Sequence, residues 1–471
     1  MSDAALAQSA RPPKSAAKTF WVGSVKAYRR GSVWYLQYHE HGLRRRPRVG
    51  PDRDAARRLA AQTNAQLASG DVAVLSFEPL SVPDLRQRWL DHHEHVLRSS
   101  VQAVARYRTA TAHLLGFVRD VRPVRIASRF GARDAEAFAR HLRTAEVAPN
   151  GHKNPARRQL MDKGVKYILE CCRTLFAYAA KRRHLSAYAE NPFTQIRVDR
   201  VPVEQAKPIV LFTAEQERQF PDACDGRQFP LFLTLMLTGL RPGELCHLLL
   251  PDDVGLAAGV LRVRNKPRPG WRVKTRSERE VPLVPALVGV LRVALAGRDT
   301  GPAFRQFRCD RSGHCPPLDG KGRCELEAEA EGRLARRQLE LKRGLTRCER
   351  LAVQRGVWRD AGAMKEDRVR SEVIRVAKQI GLPMATAPEA LRHGFATALQ
   401  DANVDPLVRN TLMGHASGVG QRPGAALGMT AVYTHTRPET VRRQLEAATE
   451  ARPAVLAARA RIAARTTGAG R

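Results

Sequence analysis

The stretch Thr238-Gly239-Leu240-Arg241-Pro242-Gly243-Glu244-Leu245 places an arginine at the seam between two expected helices. An apolar helix precedes it. Pro242 suits the first turn of the next helix, where a missing N–H costs nothing and the fixed φ is already helical. An arginine after a Gly-Leu turn is commonly a surface residue, so the stretch alone says little about function.

Its meaning comes from three segments downstream. The first is Val273-Lys274-Thr275-Arg276-Ser277-Glu278-Arg279-Glu280-Val281-Pro282-Leu283. The second is Pro388-Glu389-Ala390-Leu391-Arg392-His393-Gly394-Phe395-Ala396-Thr397. The third runs from Leu412-Met413-Gly414-His415 to Thr430-Ala431-Val432-Tyr433-Thr434-His435. Phosphodiester cleavage needs a nucleophile, a donor for the leaving oxygen, and positive donors around the phosphate as charge builds. Guanidinium forks match phosphate oxygens and keep their charge, so Arg241 and Arg392 fit a phosphate clamp. His415 adds a third donor, and Tyr433 offers a hydroxyl.

In content and order these four segments resemble the catalytic signature of the tyrosine recombinases, the phage-integrase family. The resemblance covers most of residues 80–445. It implies a multidomain, mainly α fold with α+β parts: a small N-terminal sheet-plus-helix module, an all-α core-binding domain, and a mixed α+β catalytic domain. It further implies site-specific cleavage and rejoining of DNA through a 3′-phosphotyrosine on Tyr433, with Lys274 on a β-hairpin. Double-stranded DNA is then the partner, and a homotetramer on paired sites the working assembly. The covalent link conserves bond energy, so neither ATP nor metal is required; the chain has no G-x-x-x-x-G-K-[ST] phosphate loop.

Two features depart from the family. Three residues before the second arginine, where histidine or lysine is usual, stands Glu389. A carboxylate there is either a general base for the tyrosine hydroxyl or a charge that repels the phosphate. The Gly-rich stretch 416–429 lengthens the His-to-Tyr connection, which either lets the tyrosine reach a neighbouring protomer's site or forms a passive loop. The competing readings are a DNA-binding protein that kept the fold and lost the chemistry, and a type IB topoisomerase.

The charge balance agrees with a polyanion partner. Eighty lysines and arginines against 46 acidic residues give a net charge of +34, and neutralising phosphates releases condensed counterions. There is no secretion signal, apolar span or basic membrane anchor, so a cytoplasmic, nucleoid-associated location is expected.

Composition and periodicity divide the chain. Residues 1–17 read as a disordered basic arm, and residues 18–75 as a DNA-binding module. Within that module Val33-Trp34-Tyr35-Leu36-Gln37-Tyr38 is a strand and Leu43-Arg44-Arg45-Arg46-Pro47-Arg48-Val49 an edge strand. A helix follows from near Asp52 or Asp54 to Gly70. Arg44, Arg45 and Arg46 are its candidate DNA contacts. After a linker at 76–83, residues 80–200 form the helical domain. Its stripes are Val104, Tyr107, Thr111, Leu114, Leu115, Val118 and Val165, Ile168, Leu169, Cys172, Leu175, Phe176, Ala179. Arg106, Arg108, Arg157, Arg158, Lys163 and Lys166 line its other faces as candidate backbone contacts. His92, His93 and His95 read as surface residues.

Residues 201–207 read as a second linker, and 205–450 as the catalytic domain. Its expected strands are Val260-Leu261-Arg262-Val263, Trp271-Arg272-Val273-Lys274 and Glu280-Val281-Pro282-Leu283. An insertion at about 300–372 holds Cys309, His314, Cys315, Cys324 and Cys348, which read either as a structural zinc site or as free thiols. The basic tail 451–471 is a final helix or a disordered arm.

Overall fold

The computed structural model describes residues 18–40, 42–70, 73, 75, 77–148, 156–186, 189–204, 209–275, 277–307, 309, 315–415 and 436–468. The chain divides into two compact units, residues 1–207 and 208–471.

The first unit holds two cores. An antiparallel sheet is built from β1 (Thr19–Val22), β2 (Val25–Arg30), β3 (Val33–Glu40), β4 (Leu43–Arg45) and β5 (Arg48–Gly50). The spatial order is β1-β2-β3-β4, and β5 also pairs with β3. Alternation sends Val25, Ala27, Trp34, Leu36 and Tyr38 to one face. There they pack on Ala56 and Ala60 of α1 (Arg53–Ala68), which is capped by Asp52. The expected edge strand 43–49 is two short strands, because Pro47 has no N–H to give a ladder.

Four helices form the second core: α2 (Val82–Asp91), α3 (Val101–Gly116), α4 (Ala132–Thr144) and α5 (Asp162–Lys181), with a two-residue pair β6 (Glu146–Val147) and β7 (Arg158–Gln159). The apolar stripes read from sequence meet around Trp89, Phe117, Phe138, Phe176 and Phe193. His93 is not a plain surface residue. Its ring lies against Trp89 and Tyr107, with centroids 4.8 Å from each, and burial lowers its pKa.

The second unit is organised on α7 (Gln228–Thr238), every residue of which is buried. A helix apolar all round must be enclosed. It follows α6 (Ala214–Asp222) and is followed by α8 (Pro242–Cys246). Then come β8 (Leu249–Leu250), β9 (Val254–Gly255), β10 (Val260–Val263) and β11 (Arg279–Pro282), with β9, β10 and β11 in one antiparallel sheet. Next are α9 (Pro285–Ala294) and β12 (Gly301–Pro302), which pairs with β8. The insertion contributes two helices, α10 (Arg323–Leu341) and α11 (Arg347–Asp360), with a core of Leu326, Ala330, Val357 and Trp358. The chain continues through α12 (Glu366–Gln379), α13 (Glu389–Asp401), α14 (Pro406–Met413), α15 (Pro438–Thr449) and α16 (Pro453–Gly468).

One expectation changes here, and one that stood open is decided. Residues 271–274 are not a strand; only Trp271 forms a single bridge, with Lys266. The basic tail is a helix seated on the domain. Arg452 donates to Glu217 and to Met236 O, both at 2.8 Å, and the Arg461 guanidinium lies 4.0 Å from the Phe229 ring centre. No helix among the described residues is long and apolar enough to cross a membrane.

Candidate active site

Arg241 is the N-cap residue of α8, placed by the left-handed turn at Gly239 that ends α7. Its backbone N–H donates to Glu244 Oε2 at 2.9 Å and its Nη1 to Glu244 Oε1 at 3.0 Å. Glu244 is almost fully buried and also receives Nη1 and Nη2 of Arg279, at 3.1 and 2.7 Å. Burial works against the charged Glu244 carboxylate. The Arg279 guanidinium, with Arg241 beside it, overcomes that and holds the carboxyl below its ordinary range.

Arg392 lies one turn into α13 and reaches across two helix ends. Its Nη1 donates to Gly239 O, just past α7, and its Nη2 to Met413 O, the last residue of α14. Both acceptors are helix C-terminal carbonyls, where the dipole favours a cation. Burial, then the nearby Arg241, push the Arg392 guanidinium down to about 10, so it stays charged at neutral pH. His415 Nε2 is 3.4 Å from Arg392 Nη2. Burial and the charges of Arg392, Arg241 and Arg279 lower the imidazole's pKa. A bound phosphate would act in the opposite direction.

Three sequence-distant segments thus bring Arg241, Arg392 and His415 to one place, over a buried Glu244–Arg279 pair. Neither member of that pair is among the candidates expected from the sequence. Glu244 has the i+3 spacing of a capping carboxylate, and Arg279 is an inward position of β11; neither signal stands out in so basic a chain.

The other candidates are placed differently. Lys274 is exposed, in a turn of the connection between β10 and β11. Glu389 is exposed at the first position of α13 and close enough to Glu366 to contribute, after burial and Asp367, to raising that carboxyl's pKa. His393 is exposed. Tyr433, His435 and the 416–429 stretch lie outside the described residues.

The insertion's cysteines are spread out. Cys309 is buried; Cys315 is exposed with its thiol 3.4 Å from Asp319; Cys324 and Cys348 sit in the first turns of different helices. His314 lies outside the described residues. Among the described residues no three His, Cys, Asp or Glu side chains converge on a point that would hold a metal ion.

Of the expected DNA contacts, Arg44 and Arg46 are exposed, with Arg44 donating to Gln37 at 2.7 Å. Arg45 instead faces the buried Glu40, at 3.4 Å. On the sheet face away from α1, Tyr28 and Tyr35 stack at 5.7 Å and Lys26 lies over Trp21. In the helical domain Arg106, Arg157, Arg158 and Lys163 are exposed, while Lys166 donates to Asp199 O at 2.8 Å.

Two arginines and a histidine thus meet at helix ends in a mixed α+β domain that follows a helical one along the chain. Residues 210–439 match the model of the phage integrase family. No curated protein matches the chain. Among solved structures, the chain is similar to the Tn1549 transposon integrase in complex with a circular intermediate DNA, at 18% identity and TM-score 0.48, over 78% of this chain and 99% of that one. It is also similar to a lambda integrase dimer bound to a core site, at 15% identity and TM-score 0.46, over 88% and 95%. A lambda integrase tetramer on a Holliday junction matches at 15% identity and TM-score 0.43, over 87% and 98%.

The two helix-end glycines are testable. Gly239 has φ +61°, and an added Cβ would sit 2.3 Å from Cδ1 of the fully buried Phe395. Gly414, also at +61°, would place a Cβ 2.6 Å from Nη1 of Arg279, which Glu244 and Leu412 O pin. Gly239→Ala is expected to destabilise the protein by about 2–4 kcal/mol, combining left-handed strain with overpacking. Gly414→Ala is expected to cost less stability but to weaken cleavage by displacing Arg279. Urea unfolding and suicide-substrate cleavage measure the two effects; an unchanged unfolding midpoint for Gly239→Ala would contradict the first.

Proposed function

We propose that this protein is a site-specific recombinase that cleaves and rejoins double-stranded DNA through Tyr433. The observation that carries the reading is the convergence of Arg241, Arg392 and His415 on one charged cluster. Arg241 and Arg392 bind the non-bridging oxygens of the scissile phosphate, and His415 donates a further hydrogen bond. Tyr433 Oη attacks phosphorus, the P–O5′ bond breaks, and Lys274 protonates the leaving 5′-oxygen. The product is a 3′-phosphotyrosine and a free 5′-hydroxyl, and a partner strand's 5′-hydroxyl reverses the step. The energy of the broken ester is held in the new one, so the exchange needs neither nucleotide hydrolysis nor a redox partner.

The exposed aromatic and basic sheet face of the N-terminal module and the exposed arginines of the helical domain provide backbone contacts beyond the core site. A homotetramer on paired sites is the assembly such an exchange requires.

A suicide substrate, nicked so that the cleaved end diffuses away, tests the reading. A covalent protein–DNA adduct is expected without ATP. DNA binding with no adduct at any pH would favour a binding protein that has lost the chemistry.

Glu389 takes the tyrosine proton. It lies three residues before Arg392 on α13, hence on the same side of the helix. Glu389→Gln is expected to slow cleavage by roughly 10²–10⁴-fold near neutral pH. The defect should shrink as pH rises and the phenol, which ordinarily titrates near about 10, ionises unaided. A Gln variant equal to wild type across the pH range would leave Glu389 only the role of an acidic residue favouring a helix N-terminus.

A further inference from the structure

The insertion is bound to the loop that carries Lys274. Residues 264–278, between β10 and β11, close on themselves where Lys266 and Trp271 exchange backbone hydrogen bonds at 3.0 and 2.9 Å. The tip of that closure presents two carbonyls to α11. Trp358 Nε1 donates to Pro269 O at 2.7 Å, and Gln354 Nε2 to Arg268 O at 2.7 Å. Gly270, at φ +81°, has no space for a Cβ, which would lie 2.5 Å from Gln354 Oε1. Arg268 reaches α10, at 3.5 Å from Glu327 and 3.3 Å from Glu331.

The same contacts reach the arginine cluster's helix. His247, immediately after α8, stacks on Trp271 at 4.9 Å and meets Trp358 edge-on at 4.6 Å. Burial lowers its pKa to about 4, so at neutral pH the ring is uncharged, and its Nδ1 lies 2.6 Å from Gly243 O. Trp358 therefore touches both the turn leading to Lys274 and the end of the helix that Arg241 begins. Beyond the turn, Val273 is buried and its N–H donates to Asn265 Oδ1 at 2.9 Å, so Lys274 leaves an anchored backbone.

We infer that the α10–α11 insertion is a strut that fixes the Lys274 loop against the helix of Arg241, with Trp358 and Gln354 as positioning residues. The inference rests on Lys274 being the proton donor proposed above. An exposed loop lysine must hold a hydrogen-bond distance to a leaving oxygen set by the arginines, and a loop without support samples that geometry only part of the time.

The test uses the full-length chain with Trp358→Phe, which keeps an aromatic ring, though a smaller one, and removes the N–H, combined with Gln354→Ala. Single-turnover cleavage is measured on two suicide substrates, one with the ordinary 5′-oxygen and one with a bridging 5′-sulfur at the scissile phosphate. A thiolate leaves without a proton donor, so the sulfur substrate is indifferent to the placement of Lys274. The double variant should cleave the oxygen substrate about 10- to 100-fold more slowly and the sulfur substrate within about threefold of wild type. Native-state trypsin cleavage after Lys274 should become about tenfold faster, because the loop opens more often. Equal slowing on both substrates, no slowing on either, or unchanged trypsin cleavage overturns the strut. Lys274→Ala is the control. If sulfur fails to rescue it, the proton-donor reading has failed and the strut's catalytic role falls with it. If sulfur rescues Lys274→Ala but not the double variant, the strut alone is overturned.

Discussion

Tyr433→Phe should abolish covalent attachment to a suicide substrate while changing DNA affinity by no more than about threefold, since it deletes one hydroxyl and keeps the ring. The remaining machinery would be intact: the arginines are charged, Lys274 is present, and the phosphate still binds. An adduct formed by the Phe variant would show that another tyrosine attacks. The same variant asks whose site Tyr433 serves. Mixed with a variant lacking Arg392, it should regain partial cleavage if the 416–429 stretch delivers the tyrosine to a neighbouring protomer. In that case some sites combine a good tyrosine with a good arginine cluster. If each protomer supplies its own tyrosine, the mixture stays inactive, because every site lacks one or the other. Tyr433 would remain the nucleophile under either outcome.

The parts legible in the sequence are those governed by local periodicity or by short ordered motifs. The stripes on α3 and α5 became the core of the helical domain because burial of one helix face leaves a 3.6-residue rhythm that no distant partner alters. Arg241, Arg392 and His415 could be singled out as candidates because each sits in its own motif, at a helix start, within a helix, or just past a helix end. What escaped were relations between segments. Glu244 and Arg279 are 35 residues apart and form a buried ion pair whose existence depends on β11 lying beside α8. Trp271 and Val273 alternate as in a strand. In the structure Trp271 packs against His247 and the insertion, while Val273 enters the main core; alternation came from two separate docking sites. The tail looked merely basic because Arg452 and Arg461 are used to satisfy carbonyls and an aromatic ring of α6 and α7, which no spacing within 451–471 reveals.

Arg392→Lys should lower cleavage by about 10³-fold, the scale of losing a preorganised phosphate donor. The fork joins Gly239 O to Met413 O, tying the ends of α7 and α14 together before any DNA arrives. An ammonium is a compact point charge and cannot hold both carbonyls in that plane while meeting a phosphate oxygen. The pH dependence gives the sharper test. Burial and Arg241 bring the Arg392 guanidinium down to about 10, which leaves it charged. A lysine in the same surroundings starts from about 10.4 rather than from an arginine's value, so a comparable downward push takes it toward neutrality. Its cleavage should therefore fall further behind wild type as pH rises from about 6 to about 9. Bound phosphate offsets part of this by favouring the charged amine, so the defect should narrow at saturating DNA. The trend is opposite to that of Glu389→Gln, whose defect shrinks with rising pH because hydroxide and the ionised phenol replace a missing base. Parallel pH profiles for the two variants would mean that one of them acts through general damage to the fold. An Arg392→Lys profile parallel to wild type would show that the clamp's charge survives the substitution, leaving geometry alone to account for the loss.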